Sequence, residues 1–245
     1  MGFFEKVLLL FKVLEQYNTS VYSIIRNGIS IRSAQIIQNV NKVCGANISI
    51  IIDVGANKGQ FAIEANRVFQ SAKIISFEPS LKVYNQLVER TRHIEGMKYF
   101  QYALGHSNDN LTFYESEYSH ASSLLKMTEL HKGVFSKEVQ IDKVSVQVRK
   151  LDDIINLDQE KGKILLKLDV QGYEKEVLLG ATSLLKRIDY LLFETSFVPL
   201  YEQEPLFEEM HNFVTSLGYY LICPVGLWQK SDLQILQMDI LYGKK

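Results

Sequence analysis

The sequence predicts an α/β fold: a mostly parallel seven-stranded sheet with helices on both faces, an antiparallel C-terminal hairpin, and an inserted β segment before the fourth strand. Three observations predict it. Short apolar runs alternate with amphipathic stretches, a glycine-bearing loop joins the first run to the first helix, and the last two runs are separated by too short a connection for a crossover helix.

Residues 1–45 are read as an N-terminal helical extension and residues 46–245 as one folded domain. In the extension, Phe3, Val7, Leu10, Phe11 and Leu14 recur at three- and four-residue intervals, which describes one face of a helix. Glu5, Lys6 and Lys12 interrupt the apolar run, so it is too short and too charged to span a bilayer. Its apolar face suits docking on its own domain or on a twin subunit in a homodimer, or peripheral contact with a membrane.

The domain opens with a strand at Ile48–Val54 and a helix at Gln60–Phe69. A strand at Lys73–Phe77, a helix at Leu81–Arg92 and a third strand at Lys98–Leu104 follow. Gly105–Lys163 interrupts the repeat, with strands at Leu111–Tyr114 and Val144–Val148 around a polar stretch holding His120, Ser122 and Ser123. An insertion there lies over the carboxyl edge of the sheet, where ligands bind. The repeat resumes with a strand at Ile164–Val170, a helix at Tyr173–Lys186, a strand at Tyr190–Thr195 and a helix at Leu206–Leu217. Strands at Tyr219–Cys223 and Leu233–Tyr242, with Gly226 between them, complete the fold.

Composition narrows the partners. The 245 residues carry 27 basic and 28 acidic side chains, a formal charge of -1, so no broad electrostatic footprint for nucleic acid is expected. Cys44 and Cys223 stand far apart and without partners at metal spacing, which fits a reducing, cytoplasmic setting with possible membrane association through the extension. No C-x-x-C or H-x-x-x-H grouping is present, so no structural metal site is expected, although Asp169 offers a loose position for a divalent ion.

The loop Asp53-Val-Gly-Ala-Asn-Lys-Gly59 follows a β-rich run and precedes a helix, so bare backbone at Gly55 and Gly59 can approach a ligand. Its G-x-x-x-G spacing differs from the G-x-G-x-x-G that seats a pyrophosphate, and Asp53 at the strand end would repel a diphosphate. A ligand with amino and sulfonium groups suits it better. Glu78 lies 19 residues beyond Gly59 at the end of the second strand, where a carboxylate accepts hydrogen bonds from both ribose hydroxyls; Pro79 stops the strand and fixes Glu78 at the rim.

Asp53, Glu78, Asp169 and Glu194 all fall at or beside strand carboxyl ends and so share one edge. Two of them serve the ligand above, leaving Asp169 and Glu194 for a second one. Lys167 points to the same face as Asp169 from an otherwise apolar strand and needs a partner. One reading makes Asp169 the group that receives or orients an acceptor's proton, with Lys167 and Glu194 fixing its geometry. The other makes Lys167 and Glu194 a buried ion pair bracing two strands, with Asp169 capping the next helix. Tyr173 and Glu174 are secondary candidates, and His120, ahead of His106, is an alternative proton acceptor. Tyr114, Tyr118, Phe197, Tyr201 and Trp228 are aromatics of the kind that stack on sugars, or packing residues.

These residues resemble the FkbM family of methyltransferases. The resemblance is carried by DVGANKGQF at Asp53–Phe61, FEPS at Phe77–Ser80, ALG at Ala103–Gly105, ASSL at Ala121–Leu124, KLDD at Lys150–Asp153 and LKLDVQGYEKEVLLGA at Leu166–Ala181. It implies a Rossmann-like class I methyltransferase fold and S-adenosyl-L-methionine as cofactor. The residues expected to hold it are Asp53, Gly55, Ala56, Asn57, Gly59, Gln60, Phe61, Glu78, Pro79, Ala103 and Leu104. It also implies O-methylation of a carbohydrate, glycolipid or secondary metabolite; the sheet-edge reading makes Asp169, Lys167, Glu194 and His120 the catalytic candidates. The family often writes Asp-Val-Glu-Gly where this chain has Asp169-Val-Gln-Gly172; Gln171 takes no proton, so a base must be Asp169 or a neighbour. Methylation of an RNA ribose, and a cofactor-binding protein without catalysis, are the competing expectations.

Overall fold

The computed structural model describes residues 30–45, 47–134 and 140–245. The helix expected around residues 3–14 lies outside them. Helix α1 (Ile31–Cys44) starts where the Ser30 hydroxyl accepts the Ser33 amide at 3.3 Å, an N-cap that leaves Arg32 in the first turn. Strand β1 (Ile48–Val54), helix α2 (Gln60–Val68), strand β2 (Lys73–Phe77), helix α3 (Leu81–Thr91) and strand β3 (Lys98–Phe100) follow.

The expected third strand divides in two. After Phe100 the chain leaves the main sheet, and Ala103–Leu104 (β4) pairs instead with β6 (Ile141–Arg149), which is antiparallel to β5 (Asp109–Ser116). These three strands form a separate small sheet in the order β4-β6-β5, with the short helix α4 (Glu129–Val134) in the same insert.

The remaining elements are β7 (Lys163–Leu168), α5 (Glu174–Leu179), β8 (Tyr190–Ser196), α6 (Phe207–Ser216), β9 (Tyr219–Gln229) and β10 (Ile235–Lys244). The main sheet has seven strands in the order β3-β2-β1-β7-β8-β10-β9, parallel except for β10, which runs antiparallel to β8 and β9. The fold class expected from the sequence is therefore the observed one. Several element bounds differ from the expected ones. The helix expected to run to Lys186 stops at Leu179, because a Cβ on Gly180 would lie 1.9 Å from the Gly105 carbonyl oxygen and Asp152 receives the Ser183 and Leu184 amides to start a separate turn. The first hairpin strand runs on to Gln229, so Gly226 lies within β9 rather than between the strands, and the second keeps its expected length but spans Ile235–Lys244.

Strand alternation sorts the core. Ile50, Ile52, Leu166 and Phe193 face α5 and α6, while Ile51, Leu165, Leu192 and Leu241 face α1 and α2. By the same period of two, Asp53, Lys167, Glu194 and Asp239 fall on the α1 and α2 side, at its carboxyl edge. No helix among the described residues is long and apolar enough to cross a membrane.

Candidate active site

The loop after β1 is fixed by the end of β2: the Gly55 and Ala56 amides both donate to the Phe77 carbonyl, at 3.0 and 2.9 Å. Gly55 adopts φ 72°, and a Cβ there would lie 2.0 Å from the Asp169 carbonyl oxygen, so only glycine lets β1 and β7 meet this closely. Asn57 also takes a left-handed φ of 49°, and its side chain accepts the Ser119 hydroxyl at 2.9 Å, tying the loop to the insert.

Glu78, just past β2, is buried, and its two oxygens accept the Asn57 and Ser80 amides at 3.0 Å each. Burial pushes its carboxyl up to about 7, against the pull of those two amides. Together with Gly55, Asn57, Pro79, Ala103 and Leu104 it lines a cleft of about 580 Å³, closed on the insert side by Ser119, His120 and Ser122. Asp169 and Gln171 line the same cleft.

Other expected ligand residues stand behind its wall. Phe61, Ala56 and Asp53 are buried in the core side of the loop, and Gly59 packs on α3, where a Cβ would meet Thr91 at 2.6 Å. Gln60 opens α2 and is absent from the lining. Asp53 does not face the cleft as an open charge. It is fully buried with Lys167 Nζ 2.8 Å from Oδ1, an ion pair in which neither carboxylate oxygen receives a well-directed hydrogen bond.

That pairing corrects the expectation of a Lys167–Glu194 bridge. In the parallel register Asp53 is the cross-strand neighbour of Lys167, while the residue of β8 opposite Lys167 is Leu192. Lys167 also donates to the Gly55 carbonyl at 3.1 Å and lies over the Phe61 ring, 5.4 Å from its centre. Its distance to Asp169 Oδ2 is 3.8 Å.

Glu194 has a different partner, one the sequence reading missed. The antiparallel register sets Glu194 opposite Asp239, two like charges on adjacent strands, and Arg32 of α1 bridges them at 2.5 and 2.9 Å. Glu194 further accepts from Gln171 at 3.0 Å and Gln237 at 3.1 Å. Burial raises its carboxyl to about 7, with Arg32 opposing. Two signals of this cluster were present in the sequence: Gln237 and Asp239 alternate within an apolar strand, and Arg32 places a cation at a helix N-terminus, where the dipole disfavours it. Gly226 completes the arrangement, since a Cβ there would sit 2.2 Å from Asp239 Oδ2.

Asp169, just past β7, is anchored through its own amide to the Val54 carbonyl at 3.0 Å, and its carboxylate is 45% exposed to the cleft. Oδ1 accepts from Gln171 at 2.7 Å. His120 lines the cleft as well; burial lowers its pKa, with the Asp169 carboxylate acting the other way. His106 does not line the cleft, and pairs with Glu176 at 2.5 Å. Tyr173 lines the cleft, whereas Glu174 is buried and accepts the Val170 amide at 3.0 Å. None of the five stacking aromatics lines it: Tyr201 is wholly buried and Phe197 stacks on Phe207 at 4.9 Å.

The donor set fits the cofactor that the resemblance implies. A pre-aimed carboxylate at Glu78 suits a ribose diol, the bare backbone of Gly55 borders the cleft, and beneath the loop the Asp53 oxygens retain unused acceptor capacity.

Comparison with known proteins agrees. The model of the methyltransferase FkbM domain matches residues 53–221. Over 165 residues the chain is 27% identical to the 2-O-methyltransferase NoeI of Sinorhizobium fredii, covering 64% of this chain and 68% of NoeI. The hexuronic acid methyltransferase AglP of Haloferax volcanii is 24% identical over 146 residues, 59% of this chain and 55% of AglP. Among solved structures, Sp1610 of Streptococcus pneumoniae, crystallised with S-adenosyl-L-methionine, superposes with a TM-score of 0.51 at 10% identity, over 88% of this chain and 73% of that one.

Proposed function

This chain belongs to the methyltransferase FkbM family and is an S-adenosylmethionine-dependent methyltransferase; from that premise we propose that it methylates a hydroxyl of a carbohydrate or similar small acceptor, with Asp169 receiving the acceptor's proton. The observation that carries the reading is the Asp169 carboxylate, held at the carboxyl edge of the sheet, partly exposed, and lining the same cleft as Glu78. The names of NoeI and AglP support a sugar as the acceptor.

The cofactor, when bound, supplies an already activated methyl on its sulfonium, so the protein has chiefly to align the acceptor and remove a proton. Glu78 accepts the ribose hydroxyls, and Asn57 and Ser80 keep its oxygens aimed. Lys167 holds Asp53 and the Gly55 carbonyl, which fixes the loop against β7. A hydroxyl keeps its proton more firmly than an acid does, and Asp169 is the exposed carboxylate positioned to take it. His120, whose pKa burial lowers, lines the same cleft and can orient that hydroxyl.

The test is incubation of the protein with methyl-labelled S-adenosylmethionine and separate extracts of nucleotide sugars, glycolipids and RNA. Label in a sugar-bearing fraction, stable to mild base as an ether is, is the expected result. Label in RNA alone, or in no fraction while the cofactor still binds, overturns the reading.

A further inference from the structure

We infer that Gln171 is a positioning residue for methyl transfer: its side-chain amide aims the Asp169 carboxylate, and Arg32 makes that geometry possible by neutralising the second carboxylate the amide serves. The inference rests on the reading of Asp169 as proton acceptor.

Gln171 is held at its carbonyl and at both polar atoms of its side chain. Its backbone takes φ 57°, in the left-handed region, and its carbonyl accepts the Ser123 hydroxyl at 2.7 Å. Nε2 donates to Asp169 Oδ1 at 2.7 Å and to Glu194 Oε2 at 3.0 Å, and Oε1 accepts from the buried Tyr201 hydroxyl at 2.8 Å. A flipped amide would set its oxygen against two carboxylates, so the network admits one orientation. With Oδ1 occupied by Gln171, Oδ2 is the Asp169 oxygen left for an acceptor, steadied by Lys167 at 3.8 Å. The amide therefore selects which oxygen works.

Arg32 supplies the condition for this. Glu194 accepts from Gln171 only while its facing oxygen carries no proton, yet Asp239 lies opposite it in the sheet. Repulsion between the two acids favours protonating one of them; the Arg32 bridge opposes that pressure. The family match begins at residue 53, so this cation lies outside the matched span.

A carboxyl at position 171 has one proton to donate and only in its acid form. It cannot serve both Asp169 and Glu194. The charged groups facing it would be Asp169 and Lys167 from β7 and the turn after it, Glu194 from β8, Asp239 from β10, Arg32 from α1 and His120 from the insert. Tyr201 touches it directly, with Glu204 beyond, and Glu174 stands behind Asp169 and Glu194. The facing acids disfavour a further anion, so the carboxyl introduced by Gln171→Glu would donate to Asp169 at low pH and lose that ability as pH rises.

The experiment compares Gln171→Glu, Gln171→Met and Asp169→Asn with the parent enzyme at pH 6 and pH 8.5. It follows methyl transfer to the best acceptor from a panel of methyl glycosides and nucleotide sugars, with folding and cofactor affinity checked by melting and titration. Gln171→Glu should lower kcat roughly 100-fold at pH 8.5 and stay within about tenfold of the parent at pH 6, with acceptor KM little changed. Gln171→Met should lose a similar factor at both pH values. In cofactor-free protein, the Gln171 side-chain amide should give slowly exchanging NMR signals that vanish in the Met variant. A Glu variant that tracks the parent within threefold, a loss identical at both pH values, or a rapidly exchanging Gln171 amide overturns the positioning role; the isosteric Glu variant keeps the test valid if Met misfolds. Asp169→Asn with full turnover would instead overturn the base assignment on which the role rests.

Discussion

Glu78 is held by amides 2 and 21 residues away in sequence, whereas Arg32 reaches its two carboxylates across 162 and 207 residues. The two halves of the cleft are thus built by opposite means. The half proposed to hold the cofactor is a local device: a strand, a tight loop and a helix start, closed by the next strand. The half proposed for the acceptor is a product of sheet register, which sets Asp53 beside Lys167 and Glu194 beside Asp239 before α1 adds its cation. The local half should fail through backbone strain and lost cofactor, and the register half through charge.

The sharpest break in the local half is Gly55→Ala. Overlap with the Asp169 carbonyl at 2.0 Å, on top of a φ of 72°, should cost roughly 3 kcal/mol or more and remove cofactor binding. Chemical denaturation and calorimetric titration measure both; a variant that binds normally would show that the β1–β7 approach is not needed.

Next is Arg32→Met, which strands Glu194 and Asp239 side by side. Loss of a fully buried partner would cost more, but the Arg32 side chain is 53% exposed, so about 1–3 kcal/mol is expected at pH 8. The sign with pH follows from the acids. Burial already holds the Glu194 carboxyl up against the pull of Arg32, and without Arg32 it rises further, so the penalty is present above that pKa and shrinks as pH falls through it. Urea midpoints of variant and parent should converge toward pH 5.5; a constant gap would mean that Arg32 acts by packing.

A smaller effect tests Glu78. Burial raises its carboxyl to about 7, and ribose hydroxyls donate to the ionised form, so cofactor affinity should rise about tenfold from pH 6 to pH 8. Glu78→Gln should bind more weakly and flatten that dependence. The smallest effect is Ser119→Ala, which removes one hydrogen bond from the insert to Asn57 and should weaken cofactor binding about two- to fivefold without changing acceptor KM.

The same division explains what was legible beforehand. The loop, Glu78, the edge position of Asp169 and the inserted segment could be read because each depends on neighbours within a few turns of chain. Lys167 was seen to need a partner, but Asp53 rather than Glu194 holds it, because strand order, not sequence distance, sets who stands beside whom. Arg32 and Asp239 were invisible as a pair for the same reason. The split of the third strand at Gln101 and Tyr102 was hidden too, since a run that changes sheets keeps its apolar pattern.

One measurement bears most directly on the claim that the cleft has a binding half and a reacting half. Asp169→Asn keeps the shape and exchanges a proton acceptor for an amide. Cofactor affinity by titration should stay within about twofold of the parent while turnover falls by a factor on the order of 1,000, within the range general-base removal produces. Undiminished turnover, or cofactor binding lost together with it, would contradict the account.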